Sequence, residues 1–259
     1  MKVGLIGAGN MARALARGWG DPVLCSDSGS GRARALAEEL GGRAASNREV
    51  AREADLVVLC HKPYQLAAVA GEIVDTVAGT PIVSILGGTS VGTVRQAYPD
   101  AAAVLRIEPS TPVEVGRGVL LLAQEEPRPD APGSEPGLER EVLTLFERVG
   151  WVARVPESLL GAAAATSAVG PAYLALVAEA WADAGIRHGL KPELAGRLVA
   201  ETMAGTAELL AARGWDTLTV RREVTSPGGS TARGLDALER GGLRAAFADA
   251  MDAVDRTAR

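Results

Sequence analysis

The chain has 259 residues, of which 47% are hydrophobic and only 3% aromatic, and its formal net charge is −5. This composition predicts an aliphatic core in one large domain or two modest ones. The basic residues are interspersed with acidic ones, which argues against nucleic acid as a partner. We expect that no apolar run reaches the length of a membrane span, and therefore that the protein has no membrane partner.

The N-terminus and the cysteines indicate a cellular setting. The opening stretch MKVGLIGAG leads directly into a glycine motif, which is typical of a first strand rather than a signal peptide. Cys25 and Cys60 lie far apart in apolar, strand-like runs, so we expect buried free thiols and neither a disulfide nor a metal site. These features predict a cytoplasmic protein.

The first half of the chain alternates short apolar runs with helical patterns. This alternation predicts a parallel sheet covered by helices on both faces. The predicted strands are 2–9, 22–27, 54–60, 80–86, 102–107, 118–123 and 151–155. The predicted helices are 11–19, 31–40, 64–77, 90–97 and 138–148, and residues 124–137, rich in proline and acid, are predicted to form a solvent loop.

The pattern changes at Pro156. From there strand signals vanish, and alanine-rich helical segments are broken near 167–173, 189–193, 212–216 and 225–229. We therefore predict an α/β dinucleotide-binding domain over 1–155 and an all-helical domain over 156–259. Alanine-rich helices allow close backbone approach and expose apolar surface, so the second domain is expected to form a subunit interface.

The stretch GLIGAGNMARAL carries a dinucleotide-binding pattern between a strand and a helix. Gly7 allows the tight turn, Gly9 lets the backbone approach a pyrophosphate, and Ala12 permits close packing of helix on sheet. Asn10 and Met11 complete the start of the helix, whose free N–H groups favour phosphate.

The end of the second strand bears on the choice of cofactor. Asp27 lies where an acidic residue binds the ribose 2′-hydroxyl of NAD(H). Ser28, Ser30 and Arg32 follow it and can hold the 2′-phosphate of NADP(H). These residues are also common in ordinary turns. Both cofactors stay open, and Arg32 favours NADP(H).

The available side chains restrict the chemistry. The beta-hydroxyacid dehydrogenases share this layout and use a lysine in a helix of the second domain, but 171–187 contains none. His61 follows a strand at the expected cofactor edge, and His188 follows a helix end. A C=N bond suits such a site, since a protonated imine accepts hydride with little help beyond positioning.

The stretch TSPGGST predicts a seat for an anion. Ser226, Gly228 and Gly229 precede Ser230 and Thr231 at a helix start, where backbone N–H groups and hydroxyls can hold a carboxylate. The alternative is an ordinary N-capped turn.

Several stretches, in order along nearly the whole chain, resemble the pyrroline-5-carboxylate reductase family. They are GLIGAGNMARAL, KPYQL (62–66), STPVEVGRG (110–118), VGPAYLALVAEAWADAGIRHGL (169–190) and, most specifically, EVTSPGGSTARGLDALERGGLRAAFADAMDAV (223–254). The resemblance implies reduction of the cyclic imine L-1-pyrroline-5-carboxylate to L-proline with NAD(P)H. It also implies a homodimer through the helical domain, and dimers that can stack into decamers.

The resemblance also implies roles for particular residues. Ser226, Gly229, Ser230 and Thr231 would cradle the substrate carboxylate, and Thr231 would lie near the ring nitrogen and relay a proton. The segment Pro109 to Pro112, including Ser110, would line the nicotinamide side with Lys62 and Pro63.

Three loops depart from the family pattern. Glu108 and Ser110 stand in the family's Met-Pro-Asn-Thr-Pro stretch, Val169 replaces a serine, and Tyr64 replaces a glutamine. One hypothesis is a different cyclic imine, such as a piperideine or thiazoline carboxylate. Another is that Glu108 stabilises the iminium or supplies its proton. A third is drift, with Glu108 facing solvent. A non-catalytic dinucleotide-binding regulator is the alternative from another class.

Overall fold

The computed structural model describes residues 1–124 and 136–255, and contacts divide the chain into two compact units between Pro171 and Ala172. The first unit is built on an eight-stranded sheet. Its strands are β1 Val3–Ile6, β2 Leu24–Ser26, β3 Arg43–Ala44, β4 Leu56–Leu59, β5 Ile82–Ser84, β6 Val104–Pro109, β7 Gly118–Gln124 and β8 Gly150–Pro156. Its helices are α1 Asn10–Trp19, α2 Arg32–Leu40, α3 Asn47–Glu53, α4 Leu66–Ile73, α5 Val91–Ala97, α6 Pro136–Glu147 and α7 Leu160–Ser167.

The strand order β3-β2-β1-β4-β5-β6-β7-β8 is that of a doubly wound sheet. Strands β1 to β6 run parallel, so their carboxyl ends share one edge. From β1 the sheet grows on one side through β2 and β3, and the chain then crosses to the other side of β1 to form β4. That reversal opens a crevice at the carboxyl ends of β1 and β4, where ligands bind in such sheets. The predicted α/β, Rossmann-like class is confirmed.

The prediction of a wholly parallel sheet is wrong at one pair. β7 runs antiparallel to β6, with Ile107 opposite Leu122. The connection from Ser110 to Arg117 contains only a short 3-10 helix, Thr111–Val115, and a parallel return needs a much longer crossover. β8 then pairs parallel to β7 as the edge strand, and some of its residues, such as Trp151, are exposed.

Aliphatic side chains cover both faces of the sheet, as predicted. Leu5 and Val58 pack in a core beneath α1, α2 and α6, whereas Ile6 and Leu59 pack in a second core beneath α3, α4 and α5. Strand residues buried on both faces give the continuous apolar runs seen in the sequence.

Two elements of the first unit were not predicted, the short strand β3 and the helix α3. A capping box starts α3, because Ser46 accepts from the Glu49 N–H while Glu49 accepts from the Ser46 N–H. The Ser-x-x-Glu pattern is visible in the sequence and is the signal that identifies this helix. The predicted helix 64–77 is shorter, with the 3-10 helix Pro63–Gln65 leading into α4. Most of the predicted loop 124–137 lies outside the described residues.

Only helices follow β8 in the described part of the chain. After the 3-10 helix Glu157–Leu159 and α7, they are α8 Gly170–Arg187, α9 Pro192–Ala212, α10 Thr217–Glu223, α11 Ser230–Arg240 and α12 Leu243–Asp255. The Tyr173 and Phe247 rings, 6.5 Å apart, pack α8 on α12. The break at Gly241 and Gly242, between α11 and α12, was not predicted.

Contacts extend the first unit to Pro171, since α7 packs against β7 and β8. The domain boundary placed between residues 155 and 156 follows the change from strands to helices and stays a prediction.

One helical stretch of the described residues, Glu157–Arg187, is long and apolar enough to cross a membrane by length and composition alone. The expectation that no apolar run reaches that length is therefore wrong. A single stretch of this kind is weak evidence for a span, because helices that pack against other protein pass the same test.

Candidate active site

A groove of about 700 Å³ lies at the crevice between β1 and β4. Predicted cofactor residues from three separate parts of the sequence line it: Gly7, Gly9, Asp27, Ser28, Arg32, His61 and Lys62. They meet there because β1, β2 and β4 end at the same edge of the sheet. Asn10, Met11 and Ala12 form the first turn of α1, and Ala12 is buried against the sheet. Pro63 begins the 3-10 helix that follows Lys62.

The turn from β1 into α1 needs its glycines for two different reasons. Gly7 has a φ of +106°, and a Cβ there would lie 2.8 Å from the backbone of Cys60 and His61. Gly9 has an ordinary φ of −71°, and a Cβ there would meet no protein atom within 4 Å. The first turn of α1 has no side-chain cap, so its N–H groups remain available to an anion. This arrangement fits a dinucleotide pyrophosphate.

The carboxylate of Asp27 organises its own loop. It accepts hydrogen bonds from the Gly29 N–H at 2.8 Å, the Ser30 hydroxyl at 2.8 Å and the Ala33 N–H at 2.9 Å. These hydrogen bonds lower the pKa of Asp27, and the bond from the Ala33 N–H has the largest effect. Their stabilisation is therefore present above the ordinary carboxyl pKa and is lost as pH falls through the folded value. The exposed Ser28 and Arg32 flank this loop at the groove.

The environment of the neighbouring His61 favours its neutral form. Burial lowers its pKa, and the opposing effect of the Lys62 carbonyl is smaller. The ring's Nδ1 lies 2.9 Å from that carbonyl oxygen, which assigns the proton to Nδ1. Nε2 is then an acceptor, and it has no partner among the described residues. At the preceding residue, burial raises the pKa of the Cys60 thiol. Cys60 and Cys25 are both free cysteines.

Further groove residues were missed by the sequence analysis, and they come from α3, α4 and the 3-10 helix that precedes α4. The Ser26 hydroxyl donates to Asn47 Oδ1 at 2.6 Å, and Asn47 Nδ2 donates to Glu72 at 2.6 Å. Gln65 also lines the groove and accepts from the Lys62 N–H. Nothing local in the sequence placed Asn47 and Glu72 beside Gly7, because the topology of the sheet brings them there.

The carboxyl end of β6 is tied into the sheet. Pro109 and Ser110 are buried, and the Ser110 hydroxyl accepts from the Val119 N–H at 2.8 Å. The Glu108 carboxylate is paired with Arg106 and its side chain is only 14% exposed. The hypothesis that Glu108 faces solvent is therefore wrong. The other two hypotheses for Glu108 stay predictions.

The TSPGGST stretch forms a turn and then the first residues of α11. Gly228 has a φ of +68°, which favours glycine, and the Arg233 guanidinium donates to its carbonyl at 2.7 Å. α11 begins at Ser230 without a side-chain cap, so its first N–H groups have no intrahelical partner. Ser226 and Ser230 are exposed and Thr231 is half-buried. Val169 is half-buried in the break between α7 and α8.

Comparison with known proteins gives matches along the whole chain. A family model described as pyrroline-5-carboxylate reductase dimerisation matches residues 157–259, and one described as NADP oxidoreductase, coenzyme F420-dependent, matches residues 2–88. The pyrroline-5-carboxylate reductase of Thermus thermophilus is 37% identical over 99% of this chain and 97% of its own length. Pyrroline-5-carboxylate reductase 3 of Macaca fascicularis is 34% identical over 100% of this chain and 95% of its own length.

A solved structure agrees with the sequence relatives. The crystal structure of Plasmodium falciparum pyrroline carboxylate reductase with NADP bound has a TM-score of 0.84 and 25% identity, covering 100% of this chain and 97% of that one. The resemblance inferred from the motifs is confirmed, and the chain belongs to the pyrroline-5-carboxylate reductase family.

Proposed function

We propose that this chain reduces L-1-pyrroline-5-carboxylate to L-proline, with NAD(P)H as the source of hydride. The observation that carries the proposal is the 37% identity, over 99% of the chain, to a bacterial protein of that name. The groove at β1 and β4 supports a dinucleotide cofactor, and the uncapped start of α11 supports a carboxylate ligand.

The residues of this chain suit such a reaction by binding and positioning. A bound reduced nicotinamide supplies a hydride to the imine carbon. The first turn of α1 holds the pyrophosphate, while Ser226, Gly228 and Gly229 with Ser230 and Thr231 hold the substrate carboxylate. In this proposal the Thr231 hydroxyl, in the first turn of α11, would relay a proton to the ring nitrogen. An iminium is already electrophilic, so orientation provides much of the remaining catalysis.

For Glu108, we propose electrostatic stabilisation of the iminium rather than proton donation. Its carboxylate is already engaged by the Arg106 guanidinium in a charge-assisted pair, an arrangement that suits charge stabilisation better than proton donation. We expect Glu108→Gln to lower kcat roughly tenfold, about 1.4 kcal/mol, and to leave the Kd for NADPH unchanged. Steady-state kinetics and cofactor fluorescence measure the two quantities, and an unchanged kcat would remove Glu108 from the chemistry.

We propose NADP(H) as the preferred cofactor. The Asp27 carboxylate already accepts hydrogen bonds from Gly29, Ser30 and Ala33. The exposed Arg32, by contrast, lines the groove. Arg32→Ala should weaken NADPH binding roughly tenfold, since a guanidinium–phosphate contact is a charge-assisted one, and should leave NADH binding within twofold. Titration of both cofactors by fluorescence tests this, with Arg34→Ala, in the same helix and outside the groove lining, as control. Equal losses for the two cofactors would contradict the assignment.

We propose that the helical unit forms a homodimer in the cytoplasm. α8 buries none of its residues within the chain, and Leu176 is 65% exposed. A second apolar groove, between α8 and α9, is lined by Trp181, Leu190 and Leu198. A second copy of the chain would cover these faces, which accounts for the apolar stretch without a membrane. The stacking of dimers into decamers remains a prediction, and sedimentation velocity distinguishes a dimer from a decamer. The absence of a nucleic-acid partner also remains a prediction.

The decisive experiment is NAD(P)H oxidation by the purified protein with a panel of cyclic imino acids. Preference for L-1-pyrroline-5-carboxylate over six-membered and sulfur-containing imines supports the proposal. Preference for another imine would make Glu108, Ser110 and Val169 the candidate specificity residues. No oxidation with any imine, but retained cofactor binding, would favour a dinucleotide-binding regulator.

A further inference from the structure

A partly buried ionic cluster joins β6 to the 3-10 helix that leads into α7, near the carboxyl ends of β5 and β6. Its members are Arg106 in β6, Glu108 in the same strand, and Glu157 at the start of the 3-10 helix that leads into α7. Arg106 Nη2 is paired with Glu108, and Arg106 Nη1 donates to Glu157 Oε1 at 3.1 Å. The side chains of Arg106 and Glu157 are 9% and 26% exposed.

Glu157 also holds the start of α5. The same oxygen, Oε1, accepts from the Val91 N–H at 2.8 Å, so that a carboxylate lies at the helix's N-terminus. One oxygen atom therefore connects the first turn of α5 with β6 and with the entry into α7. These contacts are far apart in sequence, and only the fold brings them together.

Stability alone is a weak reason for this cluster. Arg106 Nε has no hydrogen-bond partner among the described residues, which leaves a buried donor unsatisfied. Buried ion clusters can often be replaced by apolar side chains at little or no cost in stability. What the cluster does fix is the relative position of two segments, the turn before α5 and the end of β6. Both lie at the ligand-binding edge of the sheet.

We propose that Glu157, acting through Arg106 and the Val91 N–H, is a positioning residue for hydride transfer. It holds the end of β6 (Glu108 to Ser110) and the start of α5 in the arrangement that the reaction needs. This inference rests on the proposed reductase activity.

The test compares Glu157→Ala with Glu157→Gln, which keeps an oxygen for Arg106 and Val91. In Glu157→Ala we expect kcat to fall at least tenfold, the Kd for NADPH to change less than threefold, and the isotope effect with deuterated NADPH to rise. Glu157→Gln should retain at least half of the wild-type kcat. In the protein without cofactor, Glu157→Ala should speed hydrogen exchange over 104–111 and 89–94.

Two controls separate positioning from general destabilisation. Phe146→Leu removes packing from the core of the first unit and should lower the melting temperature without lowering kcat. Glu39→Gln removes one partner of an exposed ion pair with Arg17, and it should change neither the melting temperature nor kcat. The inference is overturned if Glu157→Ala keeps its kcat, if Phe146→Leu loses as much activity, or if Glu157→Gln is as impaired as Glu157→Ala. Failure of the wild-type protein to reduce any imine would instead overturn the proposed function.

Discussion

Substituting alanine for Gly9 is expected to weaken cofactor binding strongly while leaving the fold intact. The φ of −71° suits any residue, and a Cβ at this position meets no protein atom within 4 Å. That open space is where a pyrophosphate would approach the first turn of α1. We expect a loss of about 2 kcal/mol, or roughly 30-fold in the Kd for NADPH, measured by cofactor fluorescence.

The matched control is Gly7→Ala, two residues earlier. Its added Cβ would lie 2.8 Å from the Cys60 carbonyl carbon and the His61 nitrogen, at a φ of +106°. We expect this variant to lose roughly 3 kcal/mol of unfolding free energy, which denaturant titration measures. Gly9→Ala should lose about 1 kcal/mol or less, the cost of a poorer N-cap. Wild-type NADPH affinity in Gly9→Ala would rule out this groove as the pyrophosphate site.

The second large effect is expected at Thr231. Thr231→Val keeps the shape of a half-buried side chain in the first turn of α11 and removes only the hydroxyl. A hydrogen bond to a charged group contributes about 1.5–3 kcal/mol, so kcat/KM for the imino acid should fall roughly 10- to 150-fold. Cofactor affinity should not change, because no contact to the dinucleotide is assigned to this hydroxyl.

Thr144→Val provides the comparison for this variant. Its hydroxyl donates to the Arg140 carbonyl within the exposed face of α6, so its removal should leave kcat/KM unchanged. Steady-state kinetics with L-1-pyrroline-5-carboxylate test both variants. If Thr231→Val were as active as wild type, the TSPGGST turn would be a capping turn and not a substrate seat.

Features that depend on contiguous residues were predictable. The turn at Gly7 and Gly9 follows β1 directly, and the glycines, helix start and strand lie within a few positions. The turn before α11 is likewise contained in 225–231, so its small residues and the helix start that follows them are visible in sequence. Helix breaks at 189–193 and 212–216 follow from glycine and proline placement. Short-range geometry fixes these features.

Features that depend on distant contacts were not predictable. The sequence by itself determined the Rossmann-like class, the dinucleotide motif, the helical second half and the family, because each is written in local pattern. Only the tertiary structure decided that β7 runs antiparallel, that Asn47 and Glu72 line the groove, and that Glu108 is paired with Arg106 rather than exposed. Those facts depend on which strands lie next to each other, and packing across the whole sheet determines that order.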